Sequence, residues 1–381
     1  MADAAGAHYC EGAARLQPGE GFFRPDSRPA RDLGVLLLAD RAATRGEGDA
    51  LAVLDAMAGC GIRALRYGLE VLAQLPGAHQ LWVNDADPDR LPLLQANLDG
   101  LSAQGLSLLL GAETAQQLLA RCLLQRQRFD LLDLDAFGCP SALLPLALEA
   151  VKVGGLLYVA STDGRSPTGH DRPGAMRQLG AAARAHPASW ELALRLQLGL
   201  IARTAWAQGR GMVPVLSFSE GRTFRTAVRL ERTPPAQQLA QLGLLAHCHR
   251  CGDQQAQSLL RLRQWQPCLC SGDAPPLAIS GPLWLGPLQC SATLERLQGL
   301  AVERPDGMSR PSLRLLDRLA GDPGALPRCW PTSAIARRLG GGPPPLELLV
   351  QRLQLQGHQA SASGVMAGQL RSDAPWSQIL Q

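Results

Sequence analysis

Between Leu51 and Leu230 the chain repeats one pattern: a short apolar run, a breaker, then a stretch of helical length. Ala52-Val53-Leu54-Asp55 leads through a glycine turn to a helix from about Ile62 to Leu75. Leu81-Trp82-Val83-Asn84-Asp85 leads to a helix near Pro88 to Leu98, and a strand around Leu106 to Leu110 to a helix over Thr114 to Leu124. Asp130 to Asp135 reads as a buried strand ending in acid, followed by a helix over Ser141 to Val151 and a strand from Gly155 to Ala160. Strands that alternate with helices demand a parallel sheet covered on both faces. The predicted fold class is therefore α/β, a Rossmann-like doubly wound sheet. A helix over Trp190 to Trp206 and two strands, Val213 to Ser219 and Arg222 to Leu230, complete the pattern, which stops at Thr233-Pro234-Pro235. The expected division is a catalytic domain over 1–232 and a smaller C-terminal α+β domain over 233–381.

Composition limits the partners. Of 37 basic residues only Lys152 is a lysine, yet the net charge is only +4. That excludes a histone-like polycation and allows local arginine patches for a phosphate-bearing partner. No uncharged apolar run approaches the ~20 residues of a membrane span, and Met1 to Gly19 lacks the apolar core of a secretory signal. The expected location is cytoplasmic and the expected state a monomer. The ten cysteines are then expected to be reduced.

Two loops at strand ends carry the chemistry. In Leu54-Asp55-Ala56-Met57-Ala58-Gly59-Cys60-Gly61-Ile62-Arg63-Ala64, Gly59 and Gly61 let a ligand approach the backbone, and the following helix start favours an anion. Asp85, ending the next strand, suits ribose hydroxyls. This loop predicts a nucleotide-like cofactor without separating NAD from S-adenosylmethionine. The second loop, Asp133-Leu134-Asp135-Ala136-Phe137-Gly138-Cys139-Pro140, stands where the fourth strand leaves the sheet. An acid, a backbone turn and an aromatic suit methyl transfer to an exocyclic amine. The carboxylate and a carbonyl accept the amine hydrogens, and the ring stacks on the base. A simple helix cap remains the alternative for the two acids.

These motifs, in order, resemble the tRNA (guanine-26,N2)-dimethyltransferase family of class I methyltransferases. The resemblance runs from about Gly19 to the end. It includes Gly21-Phe22-Phe23-Arg24-Pro25 with Ala30-Arg31-Asp32, Val83-Asn84-Asp85, Asp133-Leu134-Asp135-x-Phe137-Gly138, Thr162-Asp163, Ile201-Ala202-Arg203-Thr204-Ala205, Gly281-Pro282-Leu283-Trp284-Leu285-Gly286-Pro287, Ser333-Ala334-Ile335-Ala336-Arg337-Arg338-Leu339 and Ser372-Asp373-Ala374-Pro375. It implies transfer of one or two methyl groups from S-adenosylmethionine to the N2 amine of a guanine in tRNA. It also implies that Arg31, Asp55, Gly59, Gly61, Arg63, Asp85 and Ala112 hold the cofactor, with Arg31 on its carboxylate and Asp85 on its ribose. Asp135 would accept an N2 hydrogen beside the Ala136 carbonyl, and Phe22 and Phe137 would sandwich the flipped guanine. The chain departs from the family in having Ala136 where a proline follows the acid, Arg24 where an asparagine stands, and Gly111-Ala112 for an Asp-Ala pair. Another nucleic-acid amino-methyltransferase, or a catalytically weak tRNA-binding relative, would share much of this pattern.

Cys248-x2-Cys251-x16-Cys268-x-Cys270 has the two close pairs of a structural zinc site, with four metal-free thiols as the alternative. Arg24, Arg28, Arg310, Arg337, Arg338 and Arg371 are the candidates for tRNA phosphates.

Overall fold

A computed structural model of the chain describes residues 8–46, 48–268, 270 and 276–381. Among them no helix is long and apolar enough to cross a membrane. The chain forms two compact units: Met1–Ser161, Ala227–Arg232 and Ala292–Asp317 make one, and Thr162–Thr226, Thr233–Ser291 and Arg318–Gln381 the other. Contacts thus divide the chain differently from the single cut expected after residue 232.

The first unit begins with a hairpin, β1 (Tyr9–Glu11) and β2 (Ala14–Leu16), and the helix α1 (Arg28–Ala43). The alternating pattern follows as β3 (Ala52–Asp55), α2 (Ile62–Glu70), β4 (Gln80–Asn84), α3 (Leu91–Ser102), β5 (Ser107–Gly111), α4 (Ala115–Leu124), β6 (Phe129–Ala136), α5 (Leu144–Ala150) and β7 (Val151–Ser161). The strands stand in the order β5-β4-β3-β6-β7, and every pair from β5 to β7 is parallel. The later strand Thr223–Glu231 neighbours β7. The order reverses between β3 and β6, which opens a ligand crevice at their carboxyl ends. α2 ends at Glu70, short of the expected Leu75, where a 3-10 turn over Leu72–Gln74 takes over. α4 is held by a full capping box, Thr114 with Gln117.

Buried charge explains why two distant segments join this unit. On α2, Arg66 donates to Glu11 of the hairpin (2.8 Å), to Asp32 of α1 and to Glu70 (2.7 Å), and is wholly buried. Asp32 also accepts from the Ser309 amide (2.9 Å) and the Ser312 hydroxyl (2.6 Å). Arg66 reaches the Gly307 carbonyl as well, at 3.1 Å. The stretch just before the helix Arg310–Ala320 is thereby fastened to α1 and α2.

The second unit is organised around the helix Ser189–Ala207. Its Gly199 lies against the backbone of the strand Ala278–Trp284, leaving 2.8 Å to the Leu283 Cα from where a side chain would start. Gly281 to Trp284 lie in that strand, although the run 281–287 carries two glycines and two prolines. Arg195, fully buried, donates to Glu191 (2.9 Å) and to the carbonyls of Trp284, Gly286, Gly324 and Leu326. Arg371 pairs with the same Glu191 (2.7 Å) and with Asp322 (2.8 Å). It is 2% exposed, so it is a structural cation and not the phosphate contact expected of it. The C-terminal stretch is a small module of its own. Strands Cys329–Pro331, Gln369–Ser372 and Ala360–Ala362 pair antiparallel in that order. Helices Thr332–Leu339 and Leu346–Leu355 cover a core containing Trp330 stacked on Trp376.

Breaking a buried ion network by removing one partner leaves an uncompensated charge, at a cost of about 3–5 kcal/mol. Asp32→Ala is expected to lower the urea unfolding free energy by about that much, whereas Asp89→Ala, on an exposed turn, should change it little.

Candidate active site

The carboxyl ends of β3 and β6 bring three acids together. Asp55 and Asp133 are direct neighbours in the register of the two strands, so their side chains rise from the same face of the sheet. Asp135, two residues on, shares that face. α2 covers it with Arg63, which donates to Asp133 (3.2 Å) and to Asp135 (3.0 Å). Tyr67, one turn further, donates its hydroxyl to Asp133 at 2.6 Å. The Arg63 guanidinium also stands 5.9 Å over the ring of Tyr158, the register neighbour of Asp133 on β7. Burial disfavours the charge on Arg63, but Asp133 and Asp135 outweigh it and hold its pKa well above the ordinary range. Burial, with Asp133 beside it, likewise raises the Tyr67 phenol well above its usual value, so it remains a donor.

Asp135 keeps partial exposure, at 27% of its side chain. It lies before Ala136, which is buried, and Phe137, which is 74% exposed. Phe22, 70% exposed, meets Phe137 edge-on with ring centroids 5.5 Å apart. Two large rings left in solvent beside a carboxylate are a ready platform for a flat partner. They touch each other here, and a base between them requires that they part.

The glycine loop lies at the end of β3. Gly59 (φ +57°) and Gly61 (φ +81°) adopt the left-handed backbone, and the place of a Gly59 side chain is open space. Asp85 accepts from the Gly59 amide at 2.8 Å and from the Asp87 amide at 3.0 Å, so the ribose candidate faces the loop it was expected to serve. Buried Asn84 staples three strand ends: its amide donates to the Ala56 and Glu113 carbonyls and accepts from the Glu113 amide. This explains Gly111, since a side chain there would begin 2.8 Å from the Asn84 carbonyl oxygen. Ala112 beside it is exposed.

Arg31 is placed differently from a free carboxylate clamp. Its Nε and Nη2 donate to the two oxygens of Glu11 (2.8 and 2.6 Å), and Nη1 and Nη2 reach the Arg24 and Pro25 carbonyls (both 3.1 Å). Burial opposes ionisation of Glu11, but Arg31 and Arg66 prevail and lower its pKa. Arg31 thus anchors the turn that presents Phe22 and also stands under Phe23 at 5.4 Å. Glu11, Arg66 and Tyr67 escaped the sequence reading, and Asn84 stood in it only as part of a motif with no role assigned. Arg63, Arg66 and Tyr67 recur at helical spacing on an otherwise apolar helix, which was the available signal.

In the second unit, Cys248 and Cys251 occupy the turn between the antiparallel strands Leu242–His247 and Gln254–Ser258. The sulfurs of Cys248, Cys251, Cys268 and Cys270 all lie within 4.8 Å of one another, with Cys248 3.8 Å from Cys270 and 3.6 Å from Cys268. The edge of a zinc–thiolate tetrahedron is about 3.8 Å for Zn–S bonds near 2.3 Å. The Cys251 amide points at the Cys248 sulfur (3.5 Å), as suits a thiolate ligand. All ten cysteines are free of disulfides.

Residues 13–381 match the family model of N2,N2-dimethylguanosine tRNA methyltransferases. A Methanosphaerula palustris protein named tRNA (guanine(26)-N(2))-dimethyltransferase is 30% identical, over 94% of this chain and 90% of its own length. A Thermococcus kodakarensis protein of the same name is 29% identical, over 97% and 94%. Among solved structures, Trm1 from Pyrococcus horikoshii in complex with S-adenosyl-L-methionine shares the fold, with a TM-score of 0.81, 24% identity and 98% coverage of both chains. The fold and the length of these matches agree, and the chain belongs to the N2,N2-dimethylguanosine tRNA methyltransferase family.

Proposed function

We propose that this chain transfers one or two methyl groups from S-adenosylmethionine to the exocyclic N2 of a guanine in tRNA, with Asp135 as the proton acceptor. The observation that carries this reading is the position of Asp135. It stands near the switch point of the sheet, held by a buried guanidinium, with exposed Phe137 two residues on and exposed Phe22 against that ring. The residues fit the cofactor. Gly59 leaves open space beside a left-handed turn, and Asp85 is already aimed at that turn as a hydroxyl acceptor. S-adenosylmethionine, when bound, supplies an electrophilic methyl group. Gly59, Gly61, Asp85 and Ala112 would hold it, with Arg63 and Asp55 beneath. Arg31 would act chiefly by fixing the Phe22 turn.

Phe22 and Phe137 part to receive the base and stack on its two faces, which offsets the few kcal/mol spent on extruding it. Asp135 accepts one N2 hydrogen and with the Ala136 carbonyl orients the nitrogen lone pair. As the N–C bond forms, the N2 proton passes to an Asp135 oxygen. Arg63 fixes that carboxylate and keeps it ionised until then. Exposed Arg24, Arg310, Arg337 and Arg338 and half-buried Arg28 are the remaining candidates for tRNA phosphates. The enzyme is proposed to act as a cytoplasmic monomer.

Incubating tRNA transcripts with the cofactor and analysing nucleosides by mass spectrometry tests the activity; methylation of rRNA or DNA but not tRNA would reject the tRNA reading. Asp135→Ala should lower kcat by about 10²–10⁴-fold with cofactor and tRNA binding retained. Phe137→Ala should lose about 1–3 kcal/mol of kcat/KM, the worth of one stacked base. The four thiols should hold one zinc per chain by metal analysis, lost in Cys248→Ser together with a lower thermal midpoint.

A further inference from the structure

Asp55 is unlike the other acids of the cluster. It is fully buried, and neither oxygen has a hydrogen-bond partner. Its register neighbour Asp133 takes both Arg63 and the Tyr67 hydroxyl, and Asp135 takes the other arm of Arg63. Arg63 thus bridges two of the three carboxyls and leaves Asp55 without a hydrogen bond. The other groups acting on Asp55 are the Cys60 thiol of the loop and the Ala64 amide, whose pull on its charge is the weakest of these; its neighbour on β4 is apolar Val83. An ionised carboxylate without a hydrogen-bond donor is among the most expensive groups to bury, and two adjacent buried carboxyls favour keeping a proton between them. Burial first, then Asp133, raises the Asp55 pKa well above its ordinary value.

We infer that Asp55 carries a proton in the cofactor-free protein and releases it when a sulfonium ligand binds, which makes it the residue that distinguishes the methyl donor from its demethylated product. The inference rests on the methyl-transfer reading of this pocket. The donor brings a positive sulfur; the product, S-adenosylhomocysteine, has a neutral one and the same amino-acid tail. A cation entering beside the cluster replaces the proton that balanced its third carboxyl. During transfer the S–C bond breaks with its electron pair left on sulfur, the N–C bond forms, and the amine proton goes to Asp135. The cluster then again holds one proton, as it does in the free protein. Arrival of a fresh donor expels that proton and returns Asp135 to its accepting form, as a second methylation of the same nitrogen requires.

Isothermal titration of the full chain near neutral pH, in two buffers of different ionisation enthalpy, counts protons released. S-adenosylmethionine should release about one proton more than S-adenosylhomocysteine, and the difference should vanish in Asp55→Asn. The donor's affinity should rise with pH by up to about tenfold per unit, with the product's nearly unchanged by comparison. Equal proton counts for the two ligands, or a difference that persists in Asp55→Asn, would overturn the inference while leaving the methyltransferase reading intact. Failure of the wild type to bind either ligand would overturn that reading and this one with it. Should Asp55→Asn not fold, infrared difference spectra of the wild type decide. A protonated-carboxyl band that disappears with the donor and survives with the product is the expected result, and absence of such a band rejects it.

Discussion

One buried guanidinium sets the terms for the whole first unit. Arg63 bridges Asp133 and Asp135, and it comes from the first turn of the helix that follows the glycine loop. The same residue therefore fixes the spacing between the glycine loop and Asp135. Its charge is kept by the acids it serves, against the penalty of burial. A lysine could supply charge, but it has no planar fork to hold two carboxylates on successive same-face positions of one strand.

A second guanidinium, three residues along α2, does the architectural counterpart. Arg66 ties the hairpin through Glu11 and α1 through Asp32, and Glu11 in turn clamps Arg31 under the Phe22 turn. Helical spacing places Arg63 and Arg66 near one another on α2, so the glycine loop, Asp135 and the Phe22 turn are all referred to one helix. Few of these ion pairs are exposed. They owe little to surface Coulomb attraction, and their role is to specify where the hairpin and α1 must dock.

The alternating sheet was readable because its signals are local: four- to eight-residue apolar runs, glycines at turns, acids at strand ends. The crevice followed from the same signals, since Asp55 ends its strand and Asp85 and Asp135 lie within one residue of the ends of theirs. What was not readable is set by contacts between distant residues. Arg371 looks in sequence like any surface arginine, and only the fold brings Glu191 and Asp322 to it. Arg31 is likewise committed to Glu11, twenty residues upstream. The units also interleave, because Ser309 and Ser312 bind Asp32 across some 280 residues of chain. No window of sequence contains both ends of such a bond.

The two phenylalanines pose the remaining physical question, which is why a folded chain leaves such rings in water. Each could bury about 2 kcal/mol of apolar surface elsewhere. Instead they rest edge-on against each other, a contact worth about 1 kcal/mol, which partly shields both while no base is present. A stacked base would replace that one edge contact with two faces, each worth about 1–3 kcal/mol. The exchange favours the base, and it favours any flat base equally. On the proposed mechanism, selection for an exocyclic amine comes from Asp135 and the Ala136 carbonyl, whose hydrogen bonds a ring lacking that amine would leave unmade. Alanine at 136 allows that carbonyl more freedom than a proline-fixed turn would, but its side chain is buried and its strand remains paired through Ser161, so the sheet holds the carbonyl's aim in the ring's place.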